Sequence, residues 1–153
     1  NATSPGRCEI VMRNPTVIID AAHNPHGAVS LKRTLADEFD FDAVIGVVAP
    51  MGDKDVEGIL EEFENVMNRI IVTRNSSHRA ASVDELYDSA IQIFGSERVS
   101  KSESLHFAIA EAIEQAKLEN AVNDHNTAVV IAGSVVSAGE SRAIVRKLKE
   151  SRS

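Results

Sequence analysis

Between Ala43 and Val48 the sequence reads AVIGVV, with no polar side chain in the run. A strand with one wet face alternates apolar and polar residues. An unbroken apolar run is the pattern of a strand covered on both faces. Other short runs lie along the chain: Thr16 to Asp20 (TVIID), Arg69 to Thr73 (RIIVT) and Thr127 to Ala132 (TAVVIA). Between them lie stretches with apolar residues three and four apart, the spacing of a helix with one buried face. Strands that alternate with helices build a mostly parallel sheet with helices packed on it.

Taken in order, Cys8 to Arg13 (CEIVMR) reads as a strand. Asn14-Pro15 turns it into a second strand, Thr16 to Asp20, which makes a short antiparallel hairpin. Asn24 is a favoured N-cap, and Pro25 suits the first helical position, where its missing N–H costs nothing. A helix follows to Phe39, with Ala28, Leu31, Leu35 and Phe39 near one face. After Ala43–Val48, the polar loop from Ala49 to Asp55 opens a helix carrying Val56, Ile59, Leu60 and Phe63. After the strand Arg69–Thr73 comes a polar loop to Arg79. Ser82 with Glu85 then forms a capping box for a helix ending at Phe94 and Gly95. Glu97 to Ser100 reads as a short strand, and Leu105 to Ala116 as a helix. Thr127 to Ala132 is the last strand, and Ser137 with Glu140 caps a final helix to about Glu150. The expected architecture is α/β, in three layers around about six strands, one of them antiparallel.

Length and charge narrow the possibilities. The 153 residues suffice for one domain with a real core, which at 4% aromatic and no Trp must be aliphatic. A net charge of −7 argues against general binding to nucleic acid or anionic membranes, while leaving room for a local anion site. Cys8 is the only cysteine, so no intrachain disulfide forms, which fits a reducing compartment such as the cytoplasm. No apolar run approaches the ~18 residues of a membrane span. The opening residues 1–6 read as a linker, residues 7–150 as the domain and 151–153 as a tail. The expectation is a domain cut from a longer protein.

Four strand exits carry polar residues: Asp20 to His23, Pro50 to Asp55, Thr73 to Arg79, and Gly133 to Ser137. In a parallel sheet all four fall on one edge, where open α/β folds bind ligands. No G-x-G-x-x-G follows a strand and no P-loop is present, so this chain does not cradle a triphosphate alone. Asp20, His23 and His26 invite a metal reading, but Pro25 interrupts the spacing and no Cys or further carboxylate completes a set. Asp20 and His23 also fit a strand-end turn closed by an Asx hydrogen bond. Lys54 sits where a helix dipole disfavours a cation, unless a bound anion compensates. Ser134 offers a hydroxyl and neighbouring N–H groups, and Arg7 a guanidinium at the domain's start. Three readings stay open on residues alone: half of a larger enzyme site, a stand-alone nucleotide- or anion-binding module without catalysis, and a small metal-dependent hydrolase.

Pro5-Gly6-Arg7, Asp20-Ala21-Ala22-His23-Asn24-Pro25-His26, Asp53-Lys54-Asp55 and Gly133-Ser134 together resemble the C-terminal domain of the folylpolyglutamate synthase/dihydrofolate synthase family, within the Mur ligase superfamily. The likeness covers essentially the whole chain, and the D-x-A-H-N-P-H core carries it. It implies a Rossmann-like C-terminal domain of an ATP-dependent amide ligase that adds L-glutamate to folate or dihydropteroate through an acyl phosphate. It implies ATP and Mg2+ as cofactors, with the magnesium ligands on an N-terminal ATPase domain of the same polypeptide, in a monomeric cytoplasmic enzyme. By motif, Arg7 and Asp20 would contact ATP. His23 would be catalytic and, with Lys54 and Ser134, would face glutamate. The fragment alone would not turn over.

Overall fold

The computed structural model describes residues 7–151. The proposed linker 1–6, with Pro5 and Gly6 of the first motif, lies outside the described residues, as do the last two residues of the tail. Six strands and five α-helices follow one another as β1 (Glu9–Met12), β2 (Val17–Ile19), α1 (Pro25–Glu38), β3 (Ala43–Val48), α2 (Val56–Phe63), β4 (Arg69–Val72), α3 (Val83–Phe94), β5 (Val99–Lys101), α4 (Leu105–Asn123), β6 (Thr127–Ala132) and α5 (Val135–Glu150). They form one sheet in the order β1-β2-β6-β3-β4-β5, in which only the β1–β2 pair is antiparallel.

This order fixes where the helices go. From β2 through β3 and β4 to β5 the chain moves one way across the sheet, and from β5 it returns to β6. Crossovers between parallel strands are right-handed, so the forward and return helices must lie on opposite faces. The core divides accordingly. Ile18, Val44, Ile70 and Val130 pack with Leu31, Leu60, Phe63 and Leu86 of α1–α3. Their chain neighbours Val17, Ile45, Ile71 and Val129 pack with Ile109 and Ile113 of α4 and Val145 of α5. Successive strand residues face opposite layers, which is why β3 and β6 tolerate no polar side chain in their middles.

The predicted helix starts at Asn24 and Ser82 hold. Asn24 accepts from Gly27 N at 2.7 Å and Ser82 from Glu85 N at 3.4 Å. Several boundaries differ from the sequence reading: most by one residue at an element's end, while α4 runs on to Asn123 rather than Ala116. Cys8 lies outside β1 because its φ of 49° is left-handed, which a strand cannot use. Ser96–Arg98 is a 3-10 turn rather than the start of a strand. There the Arg98 guanidinium donates to the carbonyls of Glu64, Met67 and Asn68 and holds the turn against the end of α2. The last helix starts at Val135 with Ser134 as its N-cap, not at Ser137. The Ser137-x-x-Glu140 pattern mimics a capping box, but Ser134 follows a glycine with φ 131°, and the chain enters the helix as soon as that glycine has turned it.

Candidate functional site

The forward and return helices diverge on either side of β6. The loops after β2 and β3 lead to one face, and the loop between them, after β6, leads to the other. Such a switch point leaves a crevice at the carboxyl ends of the strands. Asp20 to His23, Pro50 to Lys54, and Gly133-Ser134 converge on it. Backbone bonds lock them together: Asp20 N donates to Ile131 O, Gly133 N to Ala22 O, and Ala49 N to Ala132 O, at 2.9–3.0 Å.

Asp20 is buried, with 6% of its surface exposed. One carboxylate oxygen accepts from Cys8 N at 2.8 Å and the other from Ala22 N at 2.9 Å. The Ala22 bond is the Asx turn that the sequence allowed. The Cys8 bond ties the start of the domain to the end of β2. Burial raises the Asp20 carboxyl above the ordinary carboxylate range, opposed by these backbone bonds, the Arg7 charge and a bond from the Cys8 thiol. Burial first, and then the Asp20 charge, pushes the Cys8 thiol up to about 12, which makes it a poor nucleophile. Arg7 is exposed and near enough for its charge to act on Asp20.

His23 is exposed, and its Nδ1 lies 3.1 Å from Ala21 O. A proton on Nδ1, donated to that carbonyl, leaves Nε2 as the acceptor available to a ligand. His26 is exposed on the first turn of α1. Asp20, His23 and His26 do not form a ligand set: among the described residues, no three His, Cys, Asp or Glu side chains gather to hold a metal.

In Asp53-Lys54-Asp55 the two acids are already engaged. Asp53 pairs with Arg79 at 2.7 Å, which lowers its carboxyl from the ordinary range. Asp55 caps α2 through Gly58 N at 3.0 Å. Lys54 is exposed and makes no ion pair or side-chain hydrogen bond among the described residues. Its loop is zipped to the loop after β4: Gly52 N donates to Arg79 O at 2.8 Å and Ala81 N to Pro50 O at 3.0 Å. A shallow groove of ≈ 340 Å³ lies beside it, between the first turns of α2 and α3. A larger concavity of ≈ 400 Å³ sits at the other end of the sheet, against Leu35, Phe39, Phe41 and Val44, far from every strand exit. Size alone does not mark the site.

Ser134 is buried, and its hydroxyl is saturated. It accepts from Ser137 N at 2.9 Å and from Asn75 Nδ2 at 3.2 Å, and donates to Ser137 Oγ at 2.9 Å. What this turn presents outward is the start of α5, where the first N–H groups of a helix have no partner within it. Val135 and Val136 are exposed there. The sequence reading missed Asn75, which is 2% exposed and bonds to both serines. An Asn in a polar loop carries no local signal that its amide will reach a turn 59 residues away.

The fold and this edge define an open, doubly wound α/β domain with donors at its switch point. The chain belongs to the Mur ligase family, glutamate ligase domain, whose sequence pattern matches residues 6–135. It is 45% identical over 150 residues to the dihydrofolate synthase/folylpolyglutamate synthase of Mycobacterium tuberculosis, a match that covers 93% of this chain and 30% of that protein. Its structure superposes on the M. tuberculosis folylpolyglutamate synthase complexed with ADP and AMPPCP at a TM-score of 0.89 and 48% identity, covering 94% of this chain and 32% of that one. A bifunctional folylpolyglutamate synthase/dihydrofolate synthase with Mn, AMPPNP and L-glutamate bound matches at a TM-score of 0.78 and 26% identity, over 95% of this chain and 32% of that one. The chain therefore spans about a third of the length of the relatives it matches. No helix among the described residues is long and apolar enough to cross a membrane.

Proposed function

We propose that this domain is the glutamate-facing half of a cytoplasmic ATP-dependent ligase that adds L-glutamate to folate or dihydropteroate through an acyl phosphate. The observation that carries this reading is an asymmetry at the switch point. The acids there are occupied by partners inside the protein, while a lysine, an imidazole and helix N-termini face outward. A chain with a net charge of −7 has gathered outward-facing donors on the edge that a ligand would meet. ADP, AMPPCP, AMPPNP and L-glutamate, bound to the relatives, are anions of the kind such an edge attracts.

In this reading the residues divide the work. Arg7 places its charge near the nucleotide. An ionised carboxylate has about four acceptor sites, so the two backbone bonds and the Cys8 thiol bond to Asp20 leave capacity for one ribose hydroxyl. His23, oriented by Ala21 O, aligns glutamate by accepting from its ammonium group at Nε2, or the transferring phosphoryl group when Nε2 also carries a proton. Lys54 and the start of α5 beside Ser134 neutralise glutamate carboxylates. Magnesium, held on the N-terminal ATPase domain that residues 1–6 lead from, would neutralise phosphate charge. The exposed Val135 and Val136 at the same edge would help keep water from the acyl phosphate when that domain closes over it. Catalysis then comes from positioning and charge neutralisation, with no nucleophile contributed by this chain.

The test is kinetic and uses the full-length ligase. Asp20→Ala and His23→Ala should each cut glutamate-dependent ADP formation by ~10²-fold or more, the scale of losing a preorganised polar contact at a developing charge. Wild-type rates in both variants would sink the reading. Tight ATP binding by the domain alone would favour a stand-alone nucleotide-binding module instead.

A further inference from the structure

We infer that Asn75 is a positioning residue that aims the N-terminus of α5 at the ligand edge. The inference rests on the reading above, in which that N-terminus receives a substrate carboxylate. Asn75 stands three residues past β4, in a loop that has no sequence connection to α5. Its Nδ2 donates to Ser137 Oγ at 2.9 Å and Ser134 Oγ at 3.2 Å, and its Oδ1 accepts from Ser77 N at 2.9 Å. Both amide protons and the carbonyl therefore have partners. Ser137 Oγ passes the restraint on by donating to Ala49 O at the end of β3, at 2.6 Å. One side chain thus joins the exits of β3, β4 and β6.

The next residue reinforces it. Ser76 bonds through both its N–H and its hydroxyl to Glu140, about one turn further along α5. Gly133 completes the clamp from below, where a Cβ would fall 2.8 Å from the carbonyl carbon of Ala49. The first turn of α5 is held by a buried polar network on one side, by exposed bonds to Ser76 on another and by close backbone packing at Gly133, and its unpaired N–H groups are left facing outward. A buried network with every member satisfied is rigid, because each bond is strong in a medium with little water. A donor array fixed before the ligand arrives needs no reorganisation when charge develops beside it.

This makes Asn75 selective in its effect. Losing its amide should loosen the site for glutamate without touching the nucleotide side, which lies across β2 at Arg7 and Asp20. In the full-length ligase, Asn75→Ala should raise KM for L-glutamate about tenfold, the scale of one lost buried hydrogen bond. KM for ATP should stay within about twofold. Asn75→Asp should be worse, because it swaps two donors for a carboxylate facing oxygens whose protons are already committed. Thr73→Val serves as the structural control: it alters the same exit at a buried hydroxyl that has no partner, and should leave KM for glutamate unchanged. A KM for ATP that rises in step, or a Thr73→Val effect equal to that of Asn75→Ala, overturns the inference. Deuterium exchange at the Ser137 amide gives a readout that does not depend on the ligand. It should quicken in Asn75→Ala, and unchanged exchange also overturns the positioning role. If His23→Ala and Ser134→Ala leave glutamate kinetics at wild-type values, the site reading fails, while the exchange result still decides what Asn75 does.

Discussion

The turns after β2 and β6 are neighbours in the sheet and feed helices on opposite faces, yet they are built in different ways. The β2 turn is mostly local. Asp20 closes on Ala22, Asn24 on Gly27, and Pro25 starts the helix. The β6 turn is held from a distance. Ser134 caps α5 locally, but its orientation depends on Asn75, on Ala49 and on the space left by Gly133. The side-chain bonds that shape the first turn close mostly within a few residues of the chain, although its backbone is also tied to β6. The second exists only when three strands are already in place. A local turn leaves its polar groups free to meet a ligand, as His23 is. A turn built from long-range bonds consumes its side chains and presents its backbone.

The contrast is broken most severely at Gly133. Its φ of 131° is one that side-chain-bearing residues rarely adopt, and a Cβ there would strike the Ala49 and Pro50 backbone at 2.8–2.9 Å. Gly133→Ala combines backbone strain with overpacking against atoms that cannot rotate away, each worth ~1–3 kcal/mol. We expect a loss on the order of 3–5 kcal/mol by urea denaturation. A loss under about 1 kcal/mol, the usual size for a point mutation, would mean that the β6 turn can shift, and that its rigidity has been overstated.

The same contrast explains what could be read from residues alone. Layering, strand order of alternation and the polar edge follow from apolar runs and helical spacing, and these are local properties. The Asn24 and Ser82 caps were legible because donor and acceptor lie three residues apart. The family likeness rested on short motifs at strand exits. What escaped was non-local. The cap at Ser134 lost out to a better-looking pattern at Ser137, because nothing in the string shows that Ser137 is buried against Ala49. Asn75 looked like any loop asparagine. Cys8 looked like a strand residue until the bond to Asp20 and its left-handed backbone took it out of the ladder.

Asp20 lies between the two cases, since one of its bonds is local and the other reaches back to Cys8. Its burial gives a pH signature. The carboxyl holds its proton to a higher pH in the folded protein than in the unfolded chain. Between those two values the native state binds more protons, so stability is greater at the acidic end of the window and falls as pH rises through it. Asp20→Asn removes that slope, which is at most one proton's worth, while keeping one acceptor for the turn. Urea midpoints measured across mildly acidic pH should therefore converge toward a flatter profile in Asp20→Asn. Parallel profiles in the two proteins would show that Asp20 is not the group that titrates.

The smallest effect should come from the glycine of the other turn. Gly27 occupies the first turn of α1, at a position with no left-handed requirement. A Cβ there would meet Ala22 and the Asn24 side chain at 3.4–3.5 Å, which is ordinary contact. Ala costs less conformational entropy than Gly in a helix, by up to ~1 kcal/mol. Gly27→Ala should leave stability unchanged or raise it by a few tenths of a kcal/mol, with His23-dependent activity intact in the full-length ligase. The same substitution is thus expected to have opposite signs at Gly27 and Gly133. If Gly27→Ala destabilises by more than about 1 kcal/mol, the Asn24 cap has no slack, and the β2 turn is as dependent on its surroundings as its neighbour.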